Sequence, residues 1–190
     1  GPMYDMGPYY LTALISLMGS VKRVTASAGI PFLERTIMTG EDAGKKIPVQ
    51  TPTHISGNLE FESGAIGTII TSFDVQATQT PFIEIYGTEG SISVPDPNTF
   101  AGPVKLNRKG TDQWVEQELV SKAVENLRGL GIEDMAEAIL NRRQHRASGD
   151  LAFHVLEIMH GFHESASLGK HYEMQSSYIW PELQKETTPP

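Results

Sequence analysis

Not one cysteine occurs among the 190 residues. Disulfides, cysteine-ligated zinc and thiol nucleophiles are excluded together, and the redox state of the compartment leaves no mark on such a chain. A stretch of ~18–20 apolar residues, the length that a bilayer-crossing helix requires, is missing as well. Lysine and arginine number 15 against 23 acidic residues, a formal net charge of −8, and no dense basic run offsets it. Phosphate backbones and anionic lipid surfaces are poor matches for that balance, so neither nucleic acid nor membrane is an expected partner. The opening Gly1-Pro2-Met3-Tyr4-Asp5 has no basic flank leading into an apolar run, which gives the expectation of a cytoplasmic protein. It also starts on Gly-Pro in place of Met, as expected either for a cloning scar or for a piece excised from something longer.

The length suits one compact domain with a substantial core. Residues 1–180 are read as that domain, and residues 181–190, with their Pro, Glu, Lys and Thr content, as a loosely ordered tail. Leu11, Leu14, Ile15 and Met18 fall at helical spacing and stop at Gly19. Pro8 is tolerable only in a first turn, so the helix begins at about Asp5 or Met6, and Asp5 is a plausible N-cap. From about Val21 to Val120 the chain is rich in Thr, Ile, Val and Ser, punctuated by Gly and Pro, and reads as strands. Ile55, Gly57, Leu59 and Phe61 alternate with His54, Ser56, Asn58, Glu60 and Glu62, and Ser63-Gly64 turns this strand into Ala65–Asp74. A second hairpin joins Phe82–Tyr86 to Ser91–Val94, and weaker strands cover Val104–Asn107 and Trp114–Leu119. Helical spacing returns at Ile132, Met135, Ala136, Ile139 and Leu140. It does so again at Leu151, Val155, Ile158, Met159 and Phe162, with Glu157, His160 and Glu164 off the stripe. The predicted class is α+β: an open, largely antiparallel sheet with helices packed on one face.

Chemistry is best sought at the start. Asp5 and Tyr9 lie four residues apart at a helix beginning and can share a face. A carboxylate that accepts from a substrate hydroxyl, beside a phenol that donates or relays a proton, suits reaction at an alcohol or carbonyl carbon. The structural alternative is a helix cap and a half-buried aromatic. Among the six histidines, His154, His160 and His163 share one predicted helix, but only His160 and His163 can converge, and no metal site is assigned. His154 falls on the buried stripe, either as a satisfied core histidine or as a polar group aimed into a cavity. His145-Arg146-Ala147-Ser148-Gly149 is a basic turn entering a helix, open to an anionic or hydroxyl-rich ligand or simply capped and solvated. Arg128-Gly129-Leu130-Gly131 lacks the third glycine of a dinucleotide turn, since Asp134 stands in its place.

Several segments, taken in order, resemble the carboxy-terminal domain of the Gfo/Idh/MocA oxidoreductases. They are Pro2 to Tyr10, Pro52-Thr53-His54, Leu59-Glu60-Phe61, Gly64-Ala65-Ile66-Gly67, Glu84 to Gly90, Pro95-Asp96-Pro97-Asn98, and His145 to Gly149 leading to His154-Val155-Leu156. The resemblance implies the substrate-side half of an oxidoreductase acting on a sugar, polyol or related hydroxyl compound. NAD or NADP would be bound by an amino-terminal Rossmann domain absent from this chain, as would the lysine of a Glu-Lys-Pro motif. It implies homo-oligomers formed through the open sheet. It also makes Asp5 and Tyr9, at the Asp-x-Gly-x-His segment, the catalytic candidates, with Tyr10, Arg146 and His154 as substrate contacts. Tyr9 departs from the usual histidine, offering a hydroxyl that donates or relays a proton where an imidazole would switch charge near neutrality. Two other outcomes stay open: a binding or oligomerisation module with a vestigial site, and glycoside hydrolysis through transient hydride transfer.

Overall fold

A computed structural model describes residues 1–99, 102–119 and 128–179. The expected carboxy-terminal tail, 181–190, lies outside the described residues. The chain forms two compact units, Gly1–Val75 with Arg143–Pro190, and Gln76–Arg142.

In the first unit two short helices open the chain, α1 (Pro2–Asp5) and α2 (Gly7–Met18). Leu11 and Ile15 are buried, Leu14 and Met18 pack on the edge of the core, and Gly19 ends α2 at φ +90°, its N–H bonded to the Ile15 carbonyl at 2.9 Å. The helical stripe and its stop are as the spacing predicts. The expected cap is not: Asp5 closes α1, and the residue preceding α2 is Met6, without a side-chain cap. Pro8 explains both facts. Its ring would collide with the carbonyl of Tyr4 in one continuous helix, and it has no N–H at the third helical position for an Asp5 cap to bind.

Behind these helices lies a four-stranded antiparallel sheet built from β1 (Val21–Gly29), β4 (His54–Phe61), β5 (Ile66–Ser72) and the two-residue β10 (Tyr172–Glu173), in the order β10-β1-β4-β5. Ile55, Gly57, Leu59 and Phe61 of β4 point into the core, and the alternate residues point out, as their period of two predicts. The long helix α4 (Gly149–Leu168) lies across β1, burying Leu151, Val155, Ile158, Met159 and Phe162. Between β1 and β4 the chain makes a separate two-stranded ribbon, β2 (Glu34–Thr36) with β3 (Lys46–Pro48). Such a ribbon is marginal by itself. Arg35 pins it, donating to the Phe73 carbonyl at 2.9 Å and to the Asp74 carboxylate, which Thr53 also bonds at 2.7 Å.

In the second unit β6 (Ile83–Gly87), β7 (Gly90–Val94), β8 (Lys105–Arg108) and β9 (Trp114–Glu116) form an antiparallel meander, with Ile85, Ile92, Leu106 and Val115 in one cross-strand row. The predicted strand-rich stretch therefore divides among three sheets instead of forming one. Helix α3 (Leu130–Asn141) sits where its periodicity predicts, but Ile132 and Leu140 are 75% and 83% exposed while Asp134 and Ala138 are buried. Periodicity locates an apolar side; what packs against it is decided elsewhere in the chain. No described helix is long and apolar enough to cross a membrane.

One position fixes the helix-to-sheet spacing. A Cβ on Gly57 would stand 2.3 Å from the Thr25 carbonyl oxygen and 2.6 Å from Phe162 Cε1. The oxygen belongs to the neighbouring strand and cannot turn aside. Gly57→Ala should cost about 3 kcal/mol or more, at or above the upper end for overpacking. Thermal unfolding checks this, and an unchanged midpoint would contradict the packing described.

Candidate functional site

Asp5 and Tyr9 flank the break between the two opening helices. Met6 keeps right-handed helical dihedrals (φ −101°, ψ −25°), its N–H bonds the Pro2 carbonyl at 2.9 Å, and the Tyr9 N–H bonds the Met6 carbonyl at 3.2 Å. The break is thus a local offset between two nearly continuous turns, and the four-residue spacing still carries both side chains to one side. Both are exposed, Tyr9 by 39%. Among the described residues neither side chain makes a hydrogen bond. Gly7 between them lets the segment approach α4: a Cβ there would meet Met3 Sδ at 3.1 Å and Met159 Sδ at 3.3 Å.

Next to Asp5, Tyr4 lies against two histidines of α4. Its ring stacks on His163 (centroids 5.0 Å apart, planes within 8°) and meets His160 edge-on (5.3 Å, 66°), and its hydroxyl is 3.0 Å from His160 Nδ1. His160 and His163 do converge, then, and what lies between them is a phenol. Among the described residues no group of three candidate ligands is placed to hold a metal.

His154 resolves its two alternatives in favour of the core. It is 0% exposed, and its Nε2 accepts from the Val21 N–H at 3.1 Å, with Ser20 Oγ also 3.1 Å away. An Nε2 that accepts a backbone N–H is unprotonated, so the ring proton sits on Nδ1 and is donated to Ser176 Oγ at 2.8 Å. Ser176 in turn donates to the Glu157 carboxylate, which also accepts from the Gln175 and Ser176 N–H groups at 2.6 and 2.8 Å and from the Tyr172 hydroxyl at 3.2 Å. With both nitrogens committed and no exposed surface, His154 has no atom to offer a substrate. Glu157 was expected off the buried stripe. It is off the stripe that meets the sheet, yet buried, because the segment around β10 folds over it. Its place three residues after His154, on the same helical side, was the available clue.

Arg146 is exposed in the turn before α4, where Ser148 caps the helix by accepting from the Leu151 N–H at 3.2 Å. Its carbonyl accepts from the Tyr178 hydroxyl at 3.2 Å, and Tyr178 N–H bonds Ser20 Oγ at 3.0 Å, beyond the far end of α2. Between Gly149 and His160, α4 rises about 16 Å, so Arg146 is not brought to Asp5. Tyr10 is partly buried against the core. A cleft of about 480 Å³ lined by Gly19, Ser20, Glu62, Ser177, Tyr178 and Ile179 also belongs to the far end of α2.

The amino-terminal half of the chain, residues 1–93, matches the model of the GFO/IDH/MocA C-terminal domain. No curated protein matches the chain. Among solved structures it is similar to an aldose–aldose oxidoreductase from Caulobacter crescentus complexed with glycerol (19% identity, TM-score 0.69, covering 92% of this chain and 48% of that one). It is also similar to levoglucosan dehydrogenase, in its apo form (20%, TM-score 0.72, 94% and 52%) and in complex with NADH and L-sorbose (21%, TM-score 0.69, 93% and 51%). At these identities the likeness shows the fold, that of GFO/IDH/MocA C-terminal domains, and the chain spans about half the length of these relatives. Every strand pairing among the described residues is antiparallel. The described residues therefore contain no parallel crossover of the kind on which a dinucleotide pyrophosphate is commonly bound.

The buried network makes stability depend on pH. Burial pushes the His154 imidazole below its ordinary value, against the pull of Glu157 and the Ser176 bond. The unfolded chain then takes up protons that the folded one resists, so stability is complete above about pH 6.5 and declines as pH falls below it. His163, also pushed down by burial, adds to this window. Burial alone would raise Glu157, but the hydrogen bonds from Ser176, Gln175 and Tyr172 outweigh it and hold the carboxyl low, so a second loss begins below about pH 4.5. Melting curves from pH 8 down to about pH 3 should show both stages, and His154→Gln should flatten the first. An equal slope in the variant would remove His154 from the account.

Proposed function

We propose that the chain is the substrate-side half of an NAD(P)-dependent oxidoreductase acting on a sugar, polyol or related hydroxyl compound, the dinucleotide being bound by an amino-terminal Rossmann domain outside this chain. The observation that carries the reading is the exposed pair Asp5 and Tyr9, four residues apart across the break at Met6, neither with a hydrogen-bond partner among the described residues. The glycerol, NADH and L-sorbose in the similar structures support the substrate and cofactor class. In this scheme the Asp5 carboxylate accepts a hydrogen bond from a substrate hydroxyl and so sets the sugar's orientation. The Tyr9 phenol donates to the reacting oxygen, stabilising the charge that grows there as the carbon–hydrogen bond is made or broken. Hydride chemistry belongs to the nicotinamide. His154 takes no part in this scheme, and neither does Arg146, in the turn before α4 and more than two helical turns from the His160 that meets Tyr4.

In the full-length parent, Asp5→Asn and Tyr9→Phe should each lower turnover at least about tenfold, within or near the ~10²–10⁴-fold range of acid–base groups. Steady-state kinetics of both variants provide the check. Undiminished rates in both would return the pair to a structural role and leave a binding module.

The outward face of the first sheet fits the expected homo-oligomer. Its polar row is already paired within the chain: Arg23 with Glu60 at 2.7 Å, Thr68 with Asn58 at 2.9 Å and His54 with Ser72 at 3.0 Å. Covering it would strand few polar groups, and beside it Ile66 and Ile70 are 75% and 55% exposed. Sedimentation should show a concentration-dependent dimer that Ile70→Glu weakens. A clean monomer at high concentration would dismiss it.

A further inference from the structure

Helix α1 is a single turn of four residues, with no side-chain cap at either end. A turn that short does not hold itself in water, so its orientation is set by what its side chains touch. Pro2 and Met3 are buried, Met3 in the core cluster. Those contacts fix how deeply the turn is seated, but a turn anchored along one line can still rock about it. The contact on another side is Tyr4, pressed against His163 by its face, against His160 by its edge, and bonded to His160 Nδ1 through its hydroxyl. Asp5 follows immediately as the last residue of the turn, and Met6 separates it from α2. Whatever stops α1 from rocking therefore aims the Asp5 carboxylate.

We propose that Tyr4 is a positioning residue for the candidate site: clamped between His160 and His163, it fixes the rotation of α1 and hence the direction in which Asp5 meets a substrate hydroxyl. The inference rests on the reading of Asp5 as a site carboxylate. The chemistry of the clamp suits a fixed mount. A phenol both donates and accepts, so its hydroxyl can bond His160 Nδ1 in either tautomer of the ring. His163, whose imidazole burial pushes below its ordinary value, lies stacked on the phenol.

The test has two arms. In this chain, hydrogen exchange of the Met6 amide, whose bond to Pro2 closes α1, is compared in wild type, Tyr4→Phe, His160→Ala and His160→Asn, the last placing an amide group where Nδ1 stood. Exchange should quicken at least tenfold in Tyr4→Phe and His160→Ala and return toward wild type in His160→Asn, with the melting temperature nearly unchanged throughout. In the full-length parent, the same variants and Asp5→Asn are assayed with D-glucose and NAD⁺ or NADP⁺. Tyr4→Phe and His160→Ala should lose about tenfold in turnover, and His160→Asn should recover most of it. Unaltered Met6 exchange in Tyr4→Phe overturns the clamp, whatever the assay shows. An impaired Asp5→Asn beside a fully active Tyr4→Phe also overturns it, leaving the site reading intact, whereas a fully active Asp5→Asn overturns the site reading itself.

Discussion

Phe162 occupies the space that any side chain on Gly57 would need, and this close approach of α4 to β4 sets the distance at which the helix lies over the sheet. A second contact of the same kind stands one residue earlier, where a Cβ on Gly161 would come within 2.7 Å of the Tyr172 ring and 3.1 Å of Val24. With α4 lowered onto the strands at these two points, its remaining sides come within reach of other segments. Met159 meets Gly7 and Met3 at the start of the chain, His160 and His163 receive Tyr4, and His154 and Glu157 meet the segment around β10. The helix is thus a common mount for both ends of the first unit, and the glycines that permit its depth matter to the site without touching it.

Two polar constellations on this helix illustrate opposite uses of the same residue types. Around His154 the donors find acceptors, from the Val21 amide through the imidazole and Ser176 to the Glu157 carboxylate, and the imidazole itself is fully buried. Such networks specify a fold because a half-made version would leave charged or polar atoms unsatisfied. Asp5 and Tyr9 share the chemical vocabulary, a carboxylate and a proton-bearing ring, but are exposed and have no hydrogen-bond partner among the described residues. In the proposed reading that difference in satisfaction, more than residue identity, separates structural from functional polarity.

How much of this was legible beforehand follows physical lines. The hairpin through Ser63-Gly64, the alternation along β4 and the stop at Gly19 were readable because each rests on local rules: a period of two, a turn glycine, a helix end. The break after Asp5 was encoded in Pro8 but demanded asking which carbonyl its ring would strike. Glu157 and His154 could not be settled from the helix alone, since their burial depends on a two-residue strand some fifteen positions further on, too short to carry a periodic signal. Separation into three sheets and exposure of the α3 stripe escaped for a related reason: pattern marks which side is apolar and is silent on what covers it.

The Glu157 carboxylate secures its partner segment largely through main-chain amides, those of residues 175 and 176. Backbone donors are supplied by nearly any amino acid, so the identity of residue 175 is free to drift over evolutionary time while the path of the chain there stays put. Position 176 has no such liberty, because its hydroxyl links imidazole to carboxylate. A single buried anion in this way divides two adjacent sites into one permissive and one constrained.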